Sequence, residues 1–221
     1  MALCLLGLCA CNRTGKGGPY SHVLKAYALY EQTGQIEDDF AQGFQMLAEG
    51  AFAHLDGTLG ETLYYAFYDM DGDGTEELLL GKGYGAELPR LIEVYAIQGG
   101  IAVQQPFRVS RSADDAYYLS PSLLDNGIIW SFYDNGDGSK LCYWGYRFED
   151  GQLKLQMKLA RSMSFDGHDY SYEGNAYFRG NVEDAAGKDT PIGYEEYERL
   201  WKEFAGDGQS IEIDWKPLAA Y

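Results

Sequence analysis

The sequence predicts an α+β fold: an antiparallel β meander with two N-terminal helices and one C-terminal helix packed on the sheet. Three observations carry this. Near the start, Phe40, Phe44, Leu47, Ala51 and Leu55 recur at helical spacing, a buried stripe on an amphipathic helix. From Thr62 the pattern changes to short apolar and aromatic runs separated by glycine-containing turns. Near the end the helical period returns at Tyr197, Leu200, Trp201 and Phe204.

The elements follow in order. Ser21 is placed to cap a first helix in which Val23, Tyr27 and Tyr30 share a face, and Gly34-Gln35 breaks it. Asp38 or Asp39 starts the second helix, which ends in the glycine-containing stretch 57–60. Residues 63–68 and 78–80 read as the first two strands. Residues 91–97 alternate, turn at Gln98-Gly99-Gly100 and return through 101–105. Asn126-Gly127 is a strong turn signal before a strand at 128–133. Asp134 to Gly138 leads into 141–148, and Glu149-Asp150-Gly151 turns into 153–159. A further strand is expected near 170–178. Gly193 can cap the last helix, whose first turn holds Glu195 and Glu196, favourable against the helix dipole. Gly206 ends that helix, and 211–215 reads as a closing strand. No repeat of solenoid or propeller length runs through the chain.

Composition bounds the function. The chain has 221 residues and a formal net charge of −17, none of it in the first ten residues. Phosphates would be repelled, which argues against nucleic acid and against electrostatic docking on anionic lipid. The plain reading of the acidity is solubility outside a cell. The 19 tyrosines suit half-buried sheet surfaces, with an apolar ring and a wet hydroxyl.

The N-terminus ends a short apolar run in Leu8-Cys9-Ala10-Cys11. This resembles a bacterial lipobox, in which Cys11 would become the acylated first residue of the mature protein. The resemblance implies a signal at 1–10 and a lipidated cysteine with a polar, glycine-rich tether at 11–19. A single domain would follow at 20–221, anchored at the extracytoplasmic face of a bacterial cell membrane. No Lys or Arg precedes the apolar run, and an upstream start codon would explain this. Of four cysteines only Cys142 would then remain, expected as a small buried apolar residue on a strand.

The densest chemistry lies in Asp69-Met70-Asp71-Gly72-Asp73-Gly74-Thr75-Glu76-Glu77. Oxygen ligands fall at relative positions 1, 3, 5 and 9, and Gly74 at position 6 permits a sharp turn. That is the donor set of a calcium loop, with Thr75 offering its backbone carbonyl. An EF-hand would carry a bidentate Glu at position 12, where this chain has Leu80, and would be flanked by helices rather than strands. The loop instead resembles the D-x-D-G-D-G-x-x-[DE]-L loops of FG-GAP and VCBS-type bacterial surface repeats. That resemblance makes Asp69, Asp71, Asp73 and Glu77 the side-chain ligands of Ca2+ and leaves Glu76 in solvent. The string from Tyr65 to Leu78 is also similar to one in uncharacterised lipoproteins of Gram-positive gut anaerobes. The alternative is a plain acidic turn. Three aspartates within five residues repel one another unless a cation neutralises them, which favours the ion.

Catalytic signatures are absent from the sequence. Asp134-Asn-Gly-Asp-Gly-Ser139 spaces its acids wrongly for a second calcium loop and reads as a hairpin turn. His168 lies between Asp166 and Asp169 without a nucleophile motif, and His22 and His54 form no zinc-binding pattern. Gly81-Lys-Gly-Tyr-Gly85 lacks the order of a phosphate loop and reads as a flexible loop beside the calcium site. The expectation is a calcium-stabilised, lipid-anchored, monomeric module. It would be non-enzymatic and would bind an extracellular protein or glycan, or serve a structural role. A calcium-dependent carboxylate hydrolase is the alternative.

Overall fold

The structure is a computed structural model that describes residues 18–34, 44–45, 61–84, 88–107, 121–134, 140–162, 164–165, 170–171, 176–183 and 188–221. The signal and tether, Cys11 included, lie outside the described residues except for Gly18 and Pro19. Most of the expected second helix, the loop at 135–139, His54, and Asp166, His168 and Asp169 also lie outside them.

Two helices are described: α1 (Ser21–Thr33) and α2 (Tyr194–Ala205). The strands are β1 (Phe44–Gln45), β2 (Glu61–Tyr68), β3 (Glu77–Tyr84), β4 (Arg90–Gln98) and β5 (Ile101–Gln104). They continue as β6 (Ser122–Leu123), β7 (Ile128–Asp134), β8 (Lys140–Glu149) and β9 (Gln152–Ser162). The last are β10 (Ser164–Phe165), β11 (Tyr170–Ser171), β12 (Tyr177–Arg179), β13 (Thr190–Ile192) and β14 (Lys216–Pro217). The α+β mixture and the antiparallel pairing follow the sequence expectation. The single meander does not. The strands form two six-stranded sheets, ordered β1-β5-β4-β3-β2-β14 and β13-β12-β9-β8-β7-β6, plus a small β10-β11 ribbon.

Side-chain alternation explains the two sheets. In β3, Leu78 and Leu80 pack toward α1, while Leu79 joins the core shared with the second sheet. In β4, Tyr95 faces α1 and Val94 and Ala96 face the other sheet. On β8 and β9, Trp144 and Ala160 face the first sheet, while Tyr143, Met157 and Leu159 pack toward α2. The layers therefore run helix, sheet, sheet, helix. This corrects the expected alternation at 91–97. Leu91 to Ala96 are all buried, because apolar partners cover both faces of β4.

Further differences have local causes. Ser21 is the first residue of α1, not its cap. Tyr20 occupies that position with no side-chain capping bond, and its hydroxyl donates instead to the Glu76 carbonyl at 3.0 Å. Within the expected second helix, Phe44 and Gln45 form a strand paired in parallel with Ala102 and Val103, which satisfies the outer edge of β5. Gly81 to Tyr84 belong to β3 and are not a flexible loop. Gly81 sits at a register shift, and a Cβ there would stand 2.9 Å from the Trp215 ring, so only glycine lets that indole lie on the strand. The expected strand near 170–178 divides into β11 and β12. The closing strand falls at Lys216–Pro217 rather than 211–215, because Tyr64 and Tyr65 pair with those two residues.

Other elements stand where the sequence puts them. Gly34, at φ 67°, ends α1 with its N–H on the Tyr30 carbonyl. Gly193 and Gly206 flank α2. Cys142 is buried on β8 and forms no disulfide among the described residues.

Candidate metal centre

The acidic loop spans residues 69–76, between the last pair of the β2–β3 ladder, Tyr68 opposite Glu77. Gly72 and Gly74 take φ of 74° and 89°, a left-handed backbone that lets the chain double back. Asp69 organises the turn. Its Oδ1 accepts from the Gly72 and Asp73 N–H groups at 2.8 and 3.1 Å, and its Oδ2 from Gly74 N at 2.9 Å. Asp71 Oδ1 accepts from Asp73 N at 3.2 Å. Glu77 Oε2 accepts from Met70 N at 2.9 Å and closes the loop.

Asp69, Asp71 and Glu77 each bring a carboxylate oxygen within 4.8 Å of the others. Oxygens on opposite sides of one calcium ion, each 2.3–2.6 Å from it, stand at most about 5 Å apart. One cation can therefore touch all three. The cluster can hold a metal ion, and three carboxylates do not by themselves distinguish calcium from another hard cation. Asp73 and Thr75 stand outside this triplet. Both are exposed, and Asp73 Oδ1 accepts from Thr75 N at 2.6 Å. Glu76 is exposed, as expected.

Glu77 differs from its partners in being only 3% exposed. Burial pushes its carboxyl up to about 7; the Met70 N–H opposes this, and the charges of Asp71, Asp73 and Asp69 add to it. Three carboxylates, one of them desolvated, form a site that a divalent cation relieves. Burial and the nearby Glu77 charge likewise raise the Tyr20 hydroxyl, whose ring lies 5.9 Å from that of Phe67.

Met70, between two of these acids, is 3% exposed and belongs to the core between the sheets. Its backbone faces the second sheet, since a Cβ on Gly127 would lie 2.1 Å from the Met70 carbonyl oxygen. Sequence reading missed this contact. The Asn-Gly signal announced a turn, but nothing in it named what the turn leans on.

A second polar cluster also escaped the sequence. Glu93, 1% exposed beneath α1, accepts through Oε2 from the Tyr27 hydroxyl and from the Tyr95 hydroxyl at 3.1 Å. Burial first, then the Glu93 charge, pushes both phenols well above their ordinary range. On the second sheet, Asp189 is held between Lys140 and Lys158, the latter at 3.0 Å. Beside α2, a groove of about 810 Å³ is floored by Met157, Leu159 and Leu200 and rimmed by Arg179, Thr190 and Glu196. Among the described residues no helix is long and apolar enough to cross a membrane.

Compared with protein-family models, curated proteins and solved structures, the chain matches none of them. Functional argument therefore rests on the site itself.

Proposed function

We propose that this chain is an extracytoplasmic, lipid-anchored domain whose acidic loop binds one calcium ion as a staple, and that it serves as a non-enzymatic binding or structural module. The observation that carries the reading is the approach of the Asp69, Asp71 and Glu77 oxygens to within 4.8 Å, with Glu77 buried at the start of β3. Calcium is favoured over magnesium because the loop bends through two glycines and offers mixed carboxylate and backbone oxygens. Magnesium demands a rigid octahedron and gives up its waters reluctantly. Asp73 and the Thr75 carbonyl complete the shell in this reading, after a small rotation of the Asp73 side chain. Extracellular calcium modules bind at roughly 10⁻⁴–10⁻³ M, so calcium near millimolar adds about 1 kcal/mol of stability. The lipobox-like Leu8-Cys9-Ala10-Cys11 supports the anchor, and the acidic surface supports a life outside the cell. The groove beside α2, apolar below and charged at its rim, is the surface that favours a ligand.

A hydrolase would need an acid of high proton affinity facing an open cleft. Glu77 has that affinity, but it is buried and its Oε2 is spent on Met70 N, an arrangement suited to holding a cation.

Thermal melting of the protein with EDTA and through a calcium titration tests the staple, beside an Asp71→Ala variant. A calcium-dependent rise in melting temperature, lost in the variant, is expected. An unchanged melting curve would remove the claim. For the anchor, Cys11→Ser should abolish incorporation of labelled palmitate and release the protein to the medium; retention of label would exclude Cys11 as the lipid site.

A further inference from the structure

We infer that the turn at residues 124–127 couples occupancy of the acidic loop to the end of α2, so that metal binding regulates how the C-terminal segment is held. The inference rests on the calcium reading and concerns what the ion does to the rest of the fold.

The chain of contacts is short. Asp69 and Asp71 both reach toward the cation from either side of Met70, and Glu77 holds the Met70 N–H at 2.9 Å. Repulsion among those three carboxylates therefore loosens the hold on Met70, and a cation that draws them together tightens it. Its carbonyl oxygen lies so close to Gly127 that a Cβ there would stand 2.1 Å away. Gly127 has φ 74°, donates to the Leu124 carbonyl at 3.1 Å and accepts from Phe148 N at 3.4 Å. The loop of the first sheet therefore presses on a turn of the second.

That turn is tied in its other direction to the chain leaving α2. Asn126 Nδ2 donates to the Ala205 carbonyl at 3.1 Å, in the last turn of the helix. Asp125 and Gln209 exchange two bonds: Asp125 N to the Gln209 carbonyl at 2.9 Å, and Gln209 N to Asp125 Oδ1 at 3.1 Å. Ile211 N donates to the Leu123 carbonyl at 3.1 Å. Gly208 lies against the Asn126 amide, where a Cβ would approach within 2.6 Å. A shift of Met70 away from Gly127 loosens the turn, and the turn cannot loosen without disturbing residues 205–211. Coupling between two sites is reciprocal, so weakening the far end must weaken metal binding by the same factor.

The test uses the full chain with calcium chloride as the probe. Hydrogen exchange with saturating calcium and with EDTA should show roughly tenfold slower exchange at residues 124–128 and 205–211, as well as within 69–77. An Asp125→Ala, Asn126→Ala double variant changes only exposed side chains that are not ligands of the site. It should bind calcium about 5-fold more weakly by titration calorimetry, within the usual span of coupling. Binding heat with protection confined to 69–77, or an unchanged affinity in the double variant, would overturn the coupling and leave the metal site standing. Absence of binding heat in the unaltered protein would overturn the calcium reading and the coupling with it.

Discussion

The two helices cover the outer faces of the two sheets, yet they do so by different physics. α1 buries Val23, Leu24, Ala26 and Tyr27 and brings a phenol to a carboxylate within the core. α2 buries only Tyr197 and lies on the second sheet through aromatic rings. Its Trp201 stacks on Trp130 at 4.2 Å and meets Tyr143 edge-on at 5.0 Å. Its outer face carries Glu195, Glu198, Arg199 and Lys202, all at least partly exposed. The first helix is part of the core. The second is a surface layer that rests on a platform. An element with few apolar contacts opens at lower free energy, so the C-terminal layer is the more easily moved of the two.

The largest test of this contrast is Tyr27→Ala. It leaves a cavity under α1 and removes a donor from buried Glu93, and should cost about 4 kcal/mol in urea denaturation. Trp201→Ala should cost about half of that, ~2 kcal/mol, because one side of the indole already meets solvent. Equal costs would break the comparison.

The two sheets also diverge with pH. Glu77 binds its proton more tightly in the folded protein, about 7 against 4.5 unfolded. Its stabilising contribution is complete below pH 4.5 and is lost as pH rises through about 7. Discounted for solvent screening, this shift should weaken the metal-free protein by about 2 kcal/mol across that window. Glu77→Gln should flatten the slope, and saturating calcium should remove it. Asp189 behaves in the opposite sense. Burial raises its carboxyl, but the hydrogen bonds and charges of Lys140 and Lys158 together outweigh this and hold it below 3.8, so its ion pairs stabilise above that pH and fail as acid titrates it. Asp189→Asn should flatten the acid limb of the same melting profile. A slope that persists in Glu77→Gln would show that another group governs the neutral window.

The smallest effect is expected at Arg199→Ala. This breaks an exposed pair with Glu203 on the free face of α2, and should leave the denaturation midpoint unchanged within error. A clear loss there would mean that the outer face of α2 is not a free surface.

How much of this was legible in the sequence follows from range. Turns are local, so Gly34, Gln98-Gly99-Gly100, Glu149-Asp150-Gly151 and the caps of α2 stand where the residues announce them. The acidic loop is local too. Asp69, Asp71 and Glu77 converge because a hairpin pins position 9 beside position 1, whereas Asp73 bonds to the backbone just ahead of it. Layering is not local. Nothing in 91–97 states that one face meets α1 and the other a second sheet, or that Glu93 would meet the hydroxyls of Tyr27 and Tyr95. Gly81 looked like loop material because its reason, the ring of Trp215, lies far along the chain. Met70 against Gly127 was hidden in the same way.

One plain property of the sheets has a consequence for life among neighbours. Their outermost strands are β1, β14, β13 and β6, each only two or three residues long, and Pro217 and Pro191 sit in two of them. A proline has no N–H to offer an incoming chain, and a ladder of two or three residues is a poor template for one. Among the described residues these caps cover β2 at Tyr64 and Tyr65 and β7 at Ile129 and Trp130. Where those caps lie, a neighbouring copy would find no long open hem of the kind along which β proteins stitch themselves into fibres.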